Sequence, residues 1–396
     1  MALDLNRWEA LFAERTRTGH GDALAAVLAL ANVRDLISFA GGFPDPATFP
    51  ADRLQELFAG LDPTAFQYAP TAGLPGVRDF LAGRLDPRPD EHGLMVTSGS
   101  IEALELCGKA FLDPGDTVVV EGPTYMGAIM SFQSFEAEVV AVPLDADGLQ
   151  VDELEHMLTD GLRPKLLYTI PDYQNPAGVS LTAERRSVLV ELARRYGFLV
   201  VEDVAYRELG WEAEQPPTLW SLGPDVVVQA GTFSKIFFPG VRLGWAAGPP
   251  EVMAKLIWAK QLTDQCSGAL GQRLLEEHGR RGWLDEQIAG ARELYRGRCE
   301  AMLAALDREF AGRAEWTRPG GGFFTWLTVP VDAAELARRA IEVKVAFVPG
   351  LPFYADGRGV GNARLSFSRV TEDEIDLGIE RLATLLARSE PAQLAQ

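Results

Sequence analysis

Positive charge, lysine, cysteine and histidine are all scarce in this chain. Lysine and arginine together number 37 against 56 acidic residues, a net charge of −19. Phosphate contacts need a basic face, so nucleic acid is not an expected partner. The three cysteines, Cys107, Cys266 and Cys299, stand at unpaired spacings. They give no disulfide framework and suit a reducing cytosol, so a cytoplasmic location is expected. Four scattered histidines offer no metal-ligand spacing, and no metal site is expected. No apolar run reaches membrane-spanning length, and Met1–Ala10 has neither an apolar core nor a cleavage pattern. Neither a transmembrane helix nor a signal peptide is expected. What is present is ordinary globular material: 47% hydrophobic residues, usual levels of glycine and proline, and 396 residues, long enough for two domains.

The six lysines are Lys109, Lys165, Lys235, Lys255, Lys260 and Lys344. Most have polar neighbours and read as solvated. Lys235 differs: it lies in Gly231-Thr232-Phe233-Ser234-Lys235-Ile236-Phe237-Phe238-Pro239-Gly240-Val241-Arg242. An apolar, cation-rich pocket disfavours the ammonium form and frees the amine as a nucleophile. Thr232, Ser234 and Arg242 supply what a phosphate needs, short donors and a planar bidentate cation. A Schiff-base lysine beside a phosphate cup points to pyridoxal 5'-phosphate (PLP). The bland alternative is a buried lysine snorkelling from a strand end near a chance arginine.

Asp22–Leu30 reads as a helix, and Phe39–Pro46 as a turn-rich linker. Short apolar runs follow at Leu94–Thr97, Thr117–Val120, Val139–Val142, Leu166–Ile170, Phe198–Val201, Val226–Ala230 and Leu243–Ala246. Stretches with helical spacing, such as Thr182–Tyr196, lie between several of them. Doubly buried strands with intervening helices predict an α/β fold with a mostly parallel central sheet, which binds ligands at the strands' carboxyl ends. From about residue 285 the pattern changes to a long charged helix (Asp285–Phe310), strand-like Phe323–Val329, Val345–Val348 and Ala363–Phe367, and a final helix. That predicts a smaller α+β domain. We expect residues 46–284 to form the large domain, with 1–45 and 285–396 forming the small one.

Residues with chemical potential follow the strand-like runs. After Leu94–Thr97, Ser98-Gly99-Ser100-Ile101 offers backbone amides at a helix start, an anion nest or simply a serine-capped helix. Tyr125, after Thr117–Glu121, could stack on a planar ring or merely pack. Asn175, fixed by Pro176, can donate through its amide or mark an Asn-Pro turn. Asp203 ends a buried strand, where an acid is costly unless paired. It could hold a protonated pyridine nitrogen, cap a helix, or do both; Tyr206 could donate to a phenolic oxygen. Arg364, in Ala363-Arg364-Leu365-Ser366-Phe367-Ser368, is a strand arginine without an obvious acidic neighbour, which suggests a carboxylate ligand.

Together with Ser38-Phe39-Ala40-Gly41-Gly42, Tyr125-Met126-Gly127-Ala128-Ile129, Asn175-Pro176-Ala177-Gly178, Val201–Leu209, Phe233-Ser234-Lys235, Arg318–Gly322 and Val345–Gly350, these residues carry a resemblance over the whole chain. The sequence resembles the fold-type I PLP-dependent aminotransferases, and most nearly their 2-aminoadipate and kynurenine aminotransferase subgroup. The resemblance implies that Lys235 is the Schiff-base lysine and proton carrier. Asp203 holds the pyridine nitrogen, Asn175 and Tyr206 the phenolic oxygen, and Tyr125 stacks on the ring. Gly99, Ser100, the Ile101 amide, Thr232, Ser234 and Arg242 hold the phosphate, with Tyr68 reaching it from a neighbouring subunit of a homodimer. Arg364, helped by the Gly42 backbone and Asn175, takes the substrate α-carboxylate. An α-amino acid and a 2-oxo acid such as 2-oxoglutarate are the implied substrates.

Two departures stand out. Ile101 stands where the family often has glutamine. The segment Ala23–Leu28 offers Leu24, Ala25 and Leu28 where the 2-aminoadipate enzymes carry an arginine for the distal carboxylate, Ala25 being nearest that position. The sequence therefore points to an aminotransferase for apolar, aromatic or varied amino acids. A 2-aminoadipate aminotransferase is the alternative. A PLP-dependent β-lyase and an aminotransferase-like regulator come behind, the latter disfavoured by the acidic chain and the short stretch before Gly41-Gly42.

Overall fold

The computed structural model describes residues 8, 11–17, 35–212 and 214–388. The expected helix Asp22–Leu30, with Leu24, Ala25 and Leu28, lies outside the described residues. A short strand β1 (Ile37–Ser38) precedes the main body. The main sheet contains β2 (Leu94–Thr97), β3 (Thr117–Gly122), β4 (Glu138–Asp145), β5 (Gly148–Leu149), β6 (Leu166–Thr169), β7 (Leu199–Asp203), β8 (Val227–Thr232) and β9 (Gly244–Ala247). All seven expected strands are present, and β5 is an added hairpin partner of β4.

The order is β2-β9-β8-β7-β6-β3-β4-β5. β4, β3, β6, β7 and β8 pair in parallel, while β9 runs antiparallel to both its neighbours. The central strands are buried on both faces, which is why they read as continuous apolar runs. Thr182 precedes the helix Ala183–Tyr196, and Gly197 ends it in the left-handed conformation.

The second sheet contains β10 (Glu315–Trp316), β11 (Phe324–Thr328), β13 (Val348–Pro349) and β14 (Asn362–Ser366), in the order β10-β11-β14-β13. Its pairs are antiparallel. The run Val345–Val348, expected as one strand, is divided. Val345–Ala346 forms β12, which pairs in parallel with β1, whereas β13 pairs with β14. The linker after β1 also belongs here: Ser366 N donates to Phe39 O (2.8 Å) and Ser368 Oγ to Phe43 O (2.6 Å). Asp45 is tied to the long helix Trp283–Glu309 by Arg298 Nη2 (2.7 Å) and by its N–H donating to Tyr295 Oη (2.9 Å). This linker places Gly42 and Phe43 at the cavity over the carboxyl ends of the main sheet. Among the described residues no helix is long and apolar enough to cross a membrane.

Candidate active site

The parallel strands β3, β6, β7 and β8 all deliver their loops to one edge. β2 delivers Gly99 there, and β9, running the other way, starts there just after Arg242. The result is a cavity of ≈ 320 Å³ lined by Gly42, Gly99, Ser100, Ile101, Tyr125, Asn175, Asp203, Tyr206, Thr232, Ser234, Lys235, Arg242 and Arg364. Every expected site residue within the described region is there except Tyr68. That tyrosine is 76% exposed and lies away from its own chain's cavity.

One part of the cavity is a cup of donors. Helix Ser100–Phe111 begins after Gly99, whose φ is +95°. A Cβ on Gly99 would lie 2.9 Å from Arg242 Nη2, so both its conformation and its surroundings favour glycine. Arg242 Nη1 donates to Ser234 Oγ (3.2 Å) and Nη2 to Ser98 O (3.1 Å). Thr232 Oγ1 donates to Ser234 Oγ (3.0 Å) and accepts from Ser234 N (3.2 Å). A helix start, two hydroxyls and a guanidinium suit a phosphate.

Asp203, at the end of β7, is buried. Its Oδ1 accepts from Ala205 N (3.1 Å), a local turn bond, and its Oδ2 accepts from Tyr168 Oη (3.1 Å). Burial pushes the carboxyl up to about 6. Such a group favours a cationic partner. Lys235 Nζ donates to Gly42 O (2.8 Å) and lies 5.9 Å from the Phe323 ring centroid. Burial, aided by the positive charge of Arg364, brings its amine down to about 8, as the apolar surroundings predicted. Tyr206 packs edge-on against Phe323 and Phe324 (5.4 and 5.7 Å), and burial pushes its phenol up.

Arg364 is only 4% exposed. Nη1 donates to Asn175 Oδ1 (2.9 Å) and Nη2 to Ala40 O (2.7 Å), between the rings of Phe324 and Phe353. Its Nε is buried without a hydrogen-bond partner, and among the described residues no carboxylate bridges it. Burial brings its pKa down to about 10. A buried guanidinium in this state is suited to a ligand carboxylate.

The sequence reading missed several contributors. Phe43, Met126, Ile170, Ala205, Pro239 and Phe324 line the cavity. Tyr168 supports Asp203 from within β6, where a tyrosine reads as one more core residue. Lys260, which nothing in the sequence singled out, is fully buried against Glu102 and Asp264. Its partner Glu102 is 158 residues away in sequence, so no local signal marks the pair.

The donor cup, the raised Asp203 carboxyl and the lowered Lys235 amine fit PLP. The sequence profile of the family described as "Aminotransferase class I and II" matches residues 34–382. The chain is 39% identical to aromatic-amino-acid aminotransferase 1 of Thermococcus litoralis, over 95% of this chain and 94% of that one. It superposes on the Pyrococcus horikoshii kynurenine aminotransferase, crystallised with PMP, with a TM-score of 0.94 and 38% identity, covering 98% of this chain and 100% of that one. It is also similar to a Thermus thermophilus α-aminoadipate aminotransferase complexed with N-(5'-phosphopyridoxyl)-L-leucine, with a TM-score of 0.91 and 37% identity, covering 96% of this chain and 98% of that one. The chain therefore belongs to the class I and II aminotransferases, and it is a PLP-dependent aminotransferase of fold type I.

Proposed function

We propose that this aminotransferase takes its amino group from apolar and aromatic amino acids and passes it to a 2-oxo acid such as 2-oxoglutarate. The observation that carries this reading is the inventory of cations in the cavity. Among the described lining residues they are Lys235, Arg242 and Arg364. Each is committed: the amine to the cofactor, one guanidinium to the phosphate and one to the α-carboxylate. A distal carboxylate enclosed there without a cation would cost several kcal/mol, so the proposed acceptor 2-oxoglutarate has to keep its own distal carboxylate in contact with solvent. Met126, Ile170, Pro239 and Phe324 favour an apolar side chain instead. Leu24, Ala25 and Leu28 extend that reading on the sequence alone.

Bound PLP supplies an electron sink for the bonds at the substrate α-carbon. Lys235 would hold the cofactor through its amine and would carry the proton at the substrate α-carbon. Its lowered pKa leaves far more of it as free base near neutral pH than an ordinary lysine has. Asp203 would keep the pyridine nitrogen protonated, Tyr206 and Asn175 would hold the phenolic oxygen, and Tyr125 would stack on the ring. Gly99, Ser100, Ile101, Thr232, Ser234 and Arg242 hold the phosphate. Arg364 and Asn175, with the Gly42 backbone, orient the substrate carboxylate.

We also assign a cytoplasmic homodimer in which Tyr68 completes the partner's phosphate site. Residues 46–284 form the large domain, and 1–45 with 285–396 the small one, a division supported by the linker's hydrogen bonds to the second sheet.

The test is kcat/KM for leucine, methionine, phenylalanine, glutamate and 2-aminoadipate with 2-oxoglutarate as common acceptor, except that glutamate is paired with a branched 2-oxo acid. Leucine, methionine and phenylalanine should exceed 2-aminoadipate by about tenfold or more, the scale on which an apolar pocket discriminates. A lead for 2-aminoadipate would overturn the apolar reading.

A further inference from the structure

The loops that carry Tyr125 and Asn175 are pinned to one buried carboxylate outside the cavity. Glu121 is 2% exposed and stands one residue before the end of β3. Its Oε1 accepts from Thr169 Oγ1 (2.5 Å), its two oxygens share Ile170 N (3.2 and 3.3 Å), and Oε2 accepts from Gln174 Nε2 (2.8 Å). Gln174 is a bridge. The same Nε2 donates to Pro123 O (2.8 Å), and its Oε1 accepts from Ala177 N (2.8 Å), so it grips the turn on both sides of Asn175. Asn175 Oδ1 then receives Arg364 Nη1. An unbroken chain runs Glu121–Gln174–Asn175–Arg364.

We propose that Glu121 is a positioning residue for the transamination site, acting through Gln174 to fix Asn175 and with it Arg364. The Ile170 N–H and the Gln174 side-chain NH2 can only donate, and the Thr169 hydroxyl donates here too, so the carboxylate accepts on both oxygens. An amide there has one acceptor oxygen where the carboxylate has two: its NH2 would face either the Gln174 amide, a donor, or the Thr169 hydroxyl and the shared Ile170 N–H, so the network is weakened at its root, and a partly satisfied buried network is costly. The proposal rests on the reading that Asn175 contacts the cofactor's phenolic oxygen and the substrate carboxylate.

The test uses holoenzyme variants Asn175→Ala, Glu121→Gln and the double mutant. It reads kcat/KM for leucine and the pH midpoint of the bound cofactor's visible absorption band, which loss of fold stability alone would not move. Glu121→Gln should shift the midpoint in the same direction as Asn175→Ala and lower kcat/KM by at least about tenfold, the scale of one lost orienting contact. In the Asn175→Ala background it should shift the midpoint no further, because a residue acting through another is non-additive with it. Gln174→Met cuts the same link from the other end and should reproduce the shift if Glu121→Gln fails to fold. If Asn175→Ala moves the midpoint but Glu121→Gln and Gln174→Met leave it and kcat/KM unchanged, Glu121 is structural only and the proposal is overturned. If Asn175→Ala itself moves nothing, the role of Asn175 fails and the proposal falls with it.

Discussion

Asp203 illustrates how a single residue trades stability for chemistry. Burial raises its carboxyl to about 6, against an ordinary value of 3.8. The folded protein then holds the proton more tightly than the unfolded chain, so the stability this group contributes is lost as pH rises through about 6. At pH ~7.5 the ionised group costs the cofactor-free protein about 3 kcal/mol, at roughly 1.4 kcal/mol per pKa unit. Asp203→Asn should therefore stabilise the cofactor-free protein to urea by up to about 3 kcal/mol at pH ~7.5, and hardly at all below pH ~4. It should also lower kcat of the holoenzyme by roughly two orders of magnitude or more, because a neutral amide cannot keep the pyridine nitrogen protonated. Equal urea midpoints for both proteins at that higher pH would show that the carboxylate is not desolvated. Asp203 was legible because an acid ending an apolar run is locally anomalous. Tyr168, which donates to it, was not: tyrosine is ordinary in a buried strand, and its partner lies 35 residues on.

At the scale of elements, the donor cup depends on a helix it does not touch. Lys260, in helix Pro250–Gln261, donates to both oxygens of Glu102 (2.9 and 2.8 Å) and of Asp264 (2.9 and 2.8 Å). Those carboxylates hold Ser98: Glu102 Oε2 accepts from its N–H (2.6 Å) and Asp264 Oδ2 from its hydroxyl (2.9 Å). The Ser98 carbonyl in turn accepts from Arg242. Lys260→Met would leave Glu102 buried and uncompensated, a loss of roughly 3 kcal/mol or more. It should lower the urea midpoint and raise the dissociation constant for PLP together. Unaltered PLP retention in a folded variant would show that the cup does not depend on Lys260. The strands around the cup were legible because double burial leaves long apolar runs. Val345–Val348 misread as one strand because apolar character cannot say which neighbour a residue pairs with, and here the partners are β1 and β14. The Lys260–Glu102 pair was illegible for the same reason, since pairing across distant elements leaves no periodicity, and Asp264, four residues on, reads alone as an ordinary i,i+4 helix pair.

The whole molecule leaves one expected contact outside the single chain. Tyr68 follows the turn Pro63–Phe66 and precedes helix Pro75–Ala82, and both it and Phe66 (63% exposed) project into solvent. A pair of aromatics so exposed fits a surface that a second copy covers, and a two-fold axis would bring each Tyr68 to the other chain's cup. The consequence is arithmetic. Take chains carrying Lys235→Ala with Tyr68 intact, and chains carrying Tyr68→Ala with Lys235 intact. If Tyr68 served its own chain, every site in every mixture would lack one group, and mixing would restore nothing. If it serves the partner, each hybrid dimer has one complete site, made of Lys235 from one chain and Tyr68 from the other. Random reassortment of equal amounts makes about half the dimers hybrids, so about a quarter of wild-type activity should return. The measurement is leucine transamination before and after subunit exchange, with each variant exchanged against itself as the baseline. Recovery near that fraction requires a shared site, whereas activity that stays at baseline after verified exchange would place Tyr68 outside the partner's cavity.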